Sequence, residues 1–164
     1  MAHFEHPFLP IFNKKSTILI LGTFPSVASR KQEFYYAHPQ NRFWKIIAHL
    51  TKTNPIPSDI DRKKQMLLGN KIALWDVVRS CDIEGSNDSR IGNVTPAGLH
   101  FLLENTNIKH IFTNGRRAYQ LYNKYFVKNF SINVTALPST SPANAIYSFE
   151  KLLHSWKIMG RYLN

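Results

Sequence analysis

Four apolar runs of strand length, Thr17 to Leu21, Ile72 to Val77, His110 to Thr113 and Ile132 to Leu137, are each separated from the next by at least one stretch of helical periodicity. Alternation of this kind restricts the chain to a mostly parallel sheet with helices on both faces, a three-layer α/β/α arrangement. The helices announce themselves independently. Phe43, Ile46, Ile47 and Leu50 recur at i, i+3, i+4 and i+7, and Phe149, Leu152, Leu153 and Trp156 repeat that spacing. Thr95 followed by Pro96 reads as an N-cap with proline at the first helical position. A further helix is expected after Ser58, with Asp61 three residues on, and another from about Arg116 to Phe126. The stretches Asn54 to Ser58 and Cys81 to Asn93 read as surface loops. No internal repeat interrupts the pattern, and 164 residues suit one core, so a single domain over 1–164 is expected.

Charge narrows the partners. The 21 Lys and Arg against 10 Asp and Glu leave a formal charge of +11, which favours polyanions, nucleic acid first and an anionic membrane or acidic protein after it. The basic residues are dispersed in short groups such as Arg62-Lys-Lys64 and Arg116-Arg117, a pattern for a basic-faced folded protein. Cys81 is the only cysteine, which excludes an intramolecular disulfide, a cysteine-held iron–sulfur cluster and a four-thiolate zinc site. The first residues lack a signal-peptide pattern and no apolar run approaches a membrane span, so a cytoplasmic protein without membrane attachment is expected. His3 and His6, lacking a third ligand, read as part of an inert, frayed terminus, and no metal is expected.

In open parallel sheets ligands bind beyond the carboxyl ends of the strands, which directs attention to 22–41, 76–93, 114–117 and 138–145. Gly22-Thr-Phe-Pro-Ser-Val-Ala-Ser-Arg30 offers close backbone approach together with Ser26, Ser29 and main-chain amides, although an ordinary strand-to-loop turn has the same look. Phe34-Tyr-Tyr-Ala-His-Pro-Gln-Asn-Arg-Phe-Trp44 joins three consecutive aromatics to a stiff turn and an Asn-Arg pair. Aromatic faces stack on bases of any identity, and a carboxamide offers donor and acceptor at once. Phe43 and Trp44 suit the core instead. Asn114 stands at a strand tip ahead of glycine and a helix start, which suits either a ligand-reading amide or a solvated turn. Leu137-Pro-Ser-Thr-Ser-Pro-Ala-Asn-Ala145 combines prolines with hydroxyls able to hold phosphate.

Taken in order, Gly22-Thr-Phe-Pro-Ser26, Tyr35-Tyr-Ala-His-Pro-Gln-Asn-Arg-Phe-Trp44, Ala73-Leu-Trp-Asp-Val77, Gly85-Ser-Asn-Asp-Ser89, Thr113-Asn-Gly115 and Leu137-Pro-Ser-Thr-Ser-Pro-Ala-Asn-Ala145 resemble the signature segments of the hypoxanthine-DNA glycosylases of the uracil-DNA glycosylase superfamily. The resemblance spans roughly residues 17 to 160. It implies a uracil-DNA glycosylase-like fold with a central four-stranded parallel sheet, hydrolytic excision of deaminated purines from double-stranded DNA in base excision repair, and no cofactor. It marks Asn41 and Asn114 as catalytic, with Asn114 also reading the base. Thr23, Phe24, Tyr36 and His38 would surround the base, with Tyr36 the expected stacking ring. Ser26, Ser139, Thr140, Ser141 and Asn144 would face the DNA backbone, with Asn144 or Ala143 the place to look for a wedge. His38 and Asp88 are candidates for polar assistance.

The segment Gly22 to Ser26 lacks the Asp, Glu or Asn that many superfamily members carry there, which favours a dissociative route helped by stabilising the leaving base. Asn41 cannot titrate and so cannot be a general base. No lysine stands in a nucleophile motif, so a monofunctional enzyme without strand-cleaving lyase activity is expected; a monomer is expected as well. Hypoxanthine is the first choice of base, xanthine next and uracil third. A non-catalytic binder of structured nucleic acid would use the same charge and aromatics, and a hydrolase built on Cys81 or Ser26 lacks a nucleophile-elbow pattern.

Overall fold

The computed structural model describes residues 1–163. Strands β2 (Ile18–Gly22), β3 (Ile72–Asp76), β6 (His110–Asn114) and β7 (Asn133–Leu137) form an all-parallel sheet in the order β3-β2-β6-β7. These are the four apolar runs, shifted by a residue at most. Because side chains alternate across a strand, Ile18 and Ile20 face one apolar cluster while Leu19 and Leu21 face the other. The first cluster is covered by helices α2 (Phe43–Leu50), α3 (Ile60–Gly69) and α6 (Phe149–Trp156), the second by α4 (Leu99–Glu104) and α5 (Arg116–Tyr125). The β2 side chains from Ile18 to Leu21 are buried, each stabilising the fold by about 1.5 to 3 kcal/mol relative to an exposed position.

A second sheet departs from the sequence reading. Strands β1 (Ala2–Glu5), β4 (Val78–Ile83) and β5 (Gly92–Pro96) pair antiparallel in the order β1-β4-β5. The expected loop from Cys81 to Asn93 therefore begins inside a strand, and Cys81 is fully buried. Thr95 and Pro96 end β5 and do not start a helix; α4 begins three residues later, after Gly98. Nor is the N-terminus frayed, since β1 runs along β4 from Ala2 opposite Ile83 to Glu5 opposite Ser80. The cap of α3 is Asp59, one residue past Ser58, and its carboxylate accepts the Arg62 amide at 2.8 Å.

The two sheets are joined through Val77. Its amide donates to Gly22 O, its carbonyl accepts the Ala97 amide, and the Val78 amide donates to Thr23 O. The chain thus passes from β3 into β4 beside the carboxyl end of β2, and the segment between β4 and β5 brings Ser86 and Asp88 to the space beyond the parallel strands.

Candidate active site

The carboxyl ends of the parallel strands open into a cleft of about 610 Å³, open mouth included, whose lining comes from segments spread over the whole chain. Gly22, Thr23, Phe24 and Ser26 come from the turn after β2, Tyr36 and Asn41 from the segment before α2, and Asp76 from the tip of β3. Asn114 stands at the tip of β6, and Ser139, Thr140 and Ser141 in the loop after β7.

Asn41 and Asn114, 73 positions apart in the sequence, meet through Thr140. The Thr140 hydroxyl donates to Asn41 Oδ1 at 2.8 Å and accepts from Asn114 Nδ2 at 3.0 Å, while the Thr140 amide donates to Asn114 Oδ1 at 3.0 Å. The Phe43 amide also donates to Asn41 Oδ1 at 2.9 Å. Since a main-chain N–H can only donate, both carboxamides are held in one orientation. For Asn41 that leaves the Nδ2 protons without an acceptor among the described residues. Thr140 is completely buried, so its expected phosphate contact gives way to this bridging position. Ser139 Oγ and Ser141 Oγ accept the amides of Ser141 and Ala143 and keep their own protons for other acceptors.

The loop after β7 is held from beneath by Arg42, whose guanidinium donates to main-chain oxygens of Thr140, Ser141, Asn144 and Tyr147. Asn144 turns inward, donating to Ser139 O at 3.0 Å, and does not line the cleft. His38 is likewise outside the lining; its Nδ1 accepts the Gln40 amide and closes the turn. Ser26 lines the cleft but caps α1 (Val27–Gln32), accepting the Ser29 amide at 3.2 Å.

Of the three consecutive aromatics, Phe34 stacks on Trp44 in the core and Tyr35 donates its hydroxyl to Leu9 O. Tyr36 takes a left-handed backbone conformation, φ 49°, unfavourable for a bulky residue and a form of strain common at functional sites. Its ring stacks on Phe43 with centroids 4.1 Å apart. The buried Tyr36 hydroxyl has no hydrogen-bond partner within geometric limits among the described residues. Burial pushes its pKa far above the tyrosine range, Asp76 adds to the rise, and the nearby Asn114 amide offsets part of it. Gly22 makes room for this hydroxyl. A Cβ there would lie 2.8 Å from Tyr36 Oη and 2.5 Å from Asp76 Oδ1. The amides of Thr23 and Phe24 have no acceptor among the described residues and stand in the same wall.

The wall formed by Asp76 and Phe8, with His6 packed behind them, was the least legible from sequence. His6 Nε2 lies 2.7 Å from Asp76 Oδ2, both side chains almost fully buried, and the His6 ring packs edge-on against Phe8 and Phe24. The partners are 70 residues apart, and the signal available was only that an aspartate ended a parallel strand. Beside them stands Asp88, in a 3-10 turn from Asp88 to Arg90. Burial, and after it the charge of Asp76, raise the Asp88 carboxyl to about 7, with Thr23, Arg117 and Arg30 opposing. The Cys81 thiol, pushed up to about 11 chiefly by burial, is poorly suited to nucleophilic attack. Among the described residues no three His, Cys, Asp or Glu side chains gather as a metal site. No described helix is long and apolar enough to cross a membrane.

The family model described as Uracil DNA glycosylase superfamily matches residues 9–159. A protein of Methanosarcina acetivorans named hypoxanthine DNA glycosylase is 32% identical over 142 residues, covering 86% of this chain and 89% of its own. A second, from Methanosarcina barkeri and of the same name, is 30% identical over 112 residues, 68% of this chain and 71% of its own. The solution NMR structure of a candidate uracil DNA glycosylase from Methanosarcina acetivorans superimposes with a TM-score of 0.84 at 30% identity, covering 98% of both chains.

Proposed function

The chain belongs to the uracil DNA glycosylase superfamily and is an enzyme that hydrolyses N-glycosyl bonds of DNA; from that premise we propose that its substrate is hypoxanthine in duplex DNA, with xanthine second, removed as the first step of base excision repair. The observation that supports this most is the Asn41–Thr140–Asn114 bridge on the floor of the cleft.

Rotating a nucleotide out of the stack costs a few kcal/mol and is easiest at a mispair such as inosine. Ser139 and Ser141, on a loop already shaped by Arg42, are the hydroxyls we assign to the strained backbone. The extruded base would lodge beside Tyr36, with Asn114 and the free amides of Thr23 and Phe24 directed at its polar edge. As the C1′–N9 bond lengthens, positive charge grows on the sugar and negative charge on the base, and donors already in place lower the barrier without reorganising. The uncommitted Asn41 Nδ2 group is suited to orienting water. Acting as a monomer in the cytoplasm, one domain would carry the whole reaction, with no lysine nucleophile and no strand cleavage.

The test is incubation of the protein with duplexes containing inosine, xanthosine or deoxyuridine in the presence of chelator, followed by alkali to reveal abasic sites. Release is expected from inosine first; release from none of the three overturns the reading. Asn41→Ala should slow single-turnover release at least about tenfold, about 1.4 kcal/mol of barrier, with duplex binding retained. An unchanged rate removes Asn41 from the mechanism.

A further inference from the structure

A purine expelled as an anion is a poor leaving group, and the carboxamides and main-chain amides of the cleft can stabilise its charge but none can give up a proton to it at neutral pH. Asp88 differs from every other group in that wall. It lines the cleft beside Thr23, Asp76 and Asn114, and its carboxyl is left out of every ion pair among the described residues. The nearby arginines donate to main-chain oxygens and form no ion pair with the carboxyl. Arg117 Nε donates to the main-chain oxygen of Asp88 at 3.3 Å, and Arg30 donates to Pro25 O at 2.7 Å and Gly85 O at 3.0 Å. Ser86 Oγ accepts the Val27 amide at 2.9 Å, so the 84–90 segment is fastened to α1 through Gly85 and Ser86 and to α5 through the Asp88 main chain, while the carboxyl itself enters no ion pair among the described residues. The Tyr36 hydroxyl, buried and without a partner, faces the same interior.

We infer that Asp88 is a further catalytic residue, the general acid that protonates a ring nitrogen of the departing purine. The inference rests on the glycosylase reading above and names its proton donor. In this step the C1′–N9 bond breaks and its electron pair stays on the base. The Asp88 proton passes to a ring nitrogen, so that neutral hypoxanthine leaves. A water oxygen bonds to C1′ and its proton goes to solvent, from which Asp88 is reprotonated. The charged and titratable groups facing Asp88 are Asp76 at the tip of β3, Arg30 on α1, Arg117 on α5, Cys81 on β4 and Tyr36 before α2. Asp76, whose carboxylate is hydrogen-bonded by His6, opposes ionisation of Asp88, and an entering base that displaces water strengthens that opposition.

The experiment is single-turnover release of hypoxanthine from an inosine duplex between pH 5 and 9, for the wild type, Asp88→Asn and Asp88→Glu, with duplex binding and thermal midpoint measured for each. The wild-type rate should be level at low pH and fall about tenfold per pH unit once Asp88 ionises. Asp88→Asn should be at least about tenfold slower at pH 6, with a flat profile and unimpaired duplex binding, and Asp88→Glu should restore the descending limb in part. Asp88→Asn with the wild-type rate and slope overturns the inference while leaving the glycosylase reading intact, as does a slower variant with the slope unchanged. A wild-type rate that rises with pH over the same range would assign Asp88 to water activation and overturn it too. Absence of release by the wild type from any duplex overturns the glycosylase reading, and this inference with it.

Discussion

The two walls of the cleft obtain their polarity in opposite ways. On the floor, Asn41, Thr140 and Asn114 are neutral groups locked by reciprocal hydrogen bonds of 2.8 to 3.0 Å, and nothing there changes charge with pH. On the flank, His6, Asp76 and Asp88 depend on charge and burial, and one of them titrates near neutrality. The difference teaches that geometry and proton traffic are separable in this site: the floor can be rigid because the flank carries what must respond.

The floor should be broken most severely at its bridge. Thr140→Val keeps the volume but leaves Asn114 Nδ2 without its partner and takes one of two donors from Asn41 Oδ1, which keeps only the Phe43 amide, and a buried polar group left unpaired costs about 1 to 3 kcal/mol. Single-turnover base release is expected to fall about 100-fold, roughly 2.7 kcal/mol in barrier, with Thr140→Ser staying within about threefold of the wild type. A loss in Thr140→Ser as large as that in Thr140→Val would mean that keeping the hydroxyl is not enough to preserve the bridge. The flank should respond first in stability. His6→Ala strips a buried carboxylate of its hydrogen bond, and denaturant unfolding should show a loss of about 2 to 3 kcal/mol, recovered in part by His6→Gln.

The smallest effect concerns Asp88 and sharpens the contrast by its sign. A carboxyl raised to about 7 in the folded state, against a usual value near 3.8, binds its proton more tightly folded than unfolded. Its contribution is therefore full below about pH 4 and is lost as the pH rises through about 7. Asp88→Asn should thus gain on the wild type between pH 5 and pH 8 by about 1 to 2 kcal/mol, less than the full shift would give because the carboxyl is partly solvated. A gain that shrinks with pH over that range would contradict the burial of Asp88.

What the sequence disclosed follows from the same physics. Strands β2, β3 and β6 were legible because both their faces are buried, which makes Ile18 to Leu21 and His110 to Thr113 nearly continuous apolar runs, whereas β7 at the sheet edge is only part-buried. The second sheet was not. Its strand β4 reads Val-Arg-Ser-Cys-Asp-Ile, its pairing with β5 shifts register twice, and β1 is exposed throughout, so no clean alternation survives. Thr95 and Pro96 mimic a helix start because proline suits a strand end as well as a first helical turn. In the site, Asn41, Asn114 and Tyr36 stood out within local motifs, whereas the His6–Asp76 contact has no local pattern and depends on β1 being laid along β4.

Arg42 has a consequence for how such a protein could find its target. With the guanidinium donating to four carbonyls of the loop after β7, that loop holds its shape before any nucleic acid arrives. Touching a phosphate then carries little ordering entropy, and leaving it releases little. A surface of that kind can sample one undamaged base pair after another with brief residence, so that dwell time is governed by whether a base enters the cleft and not by the grip on the strand.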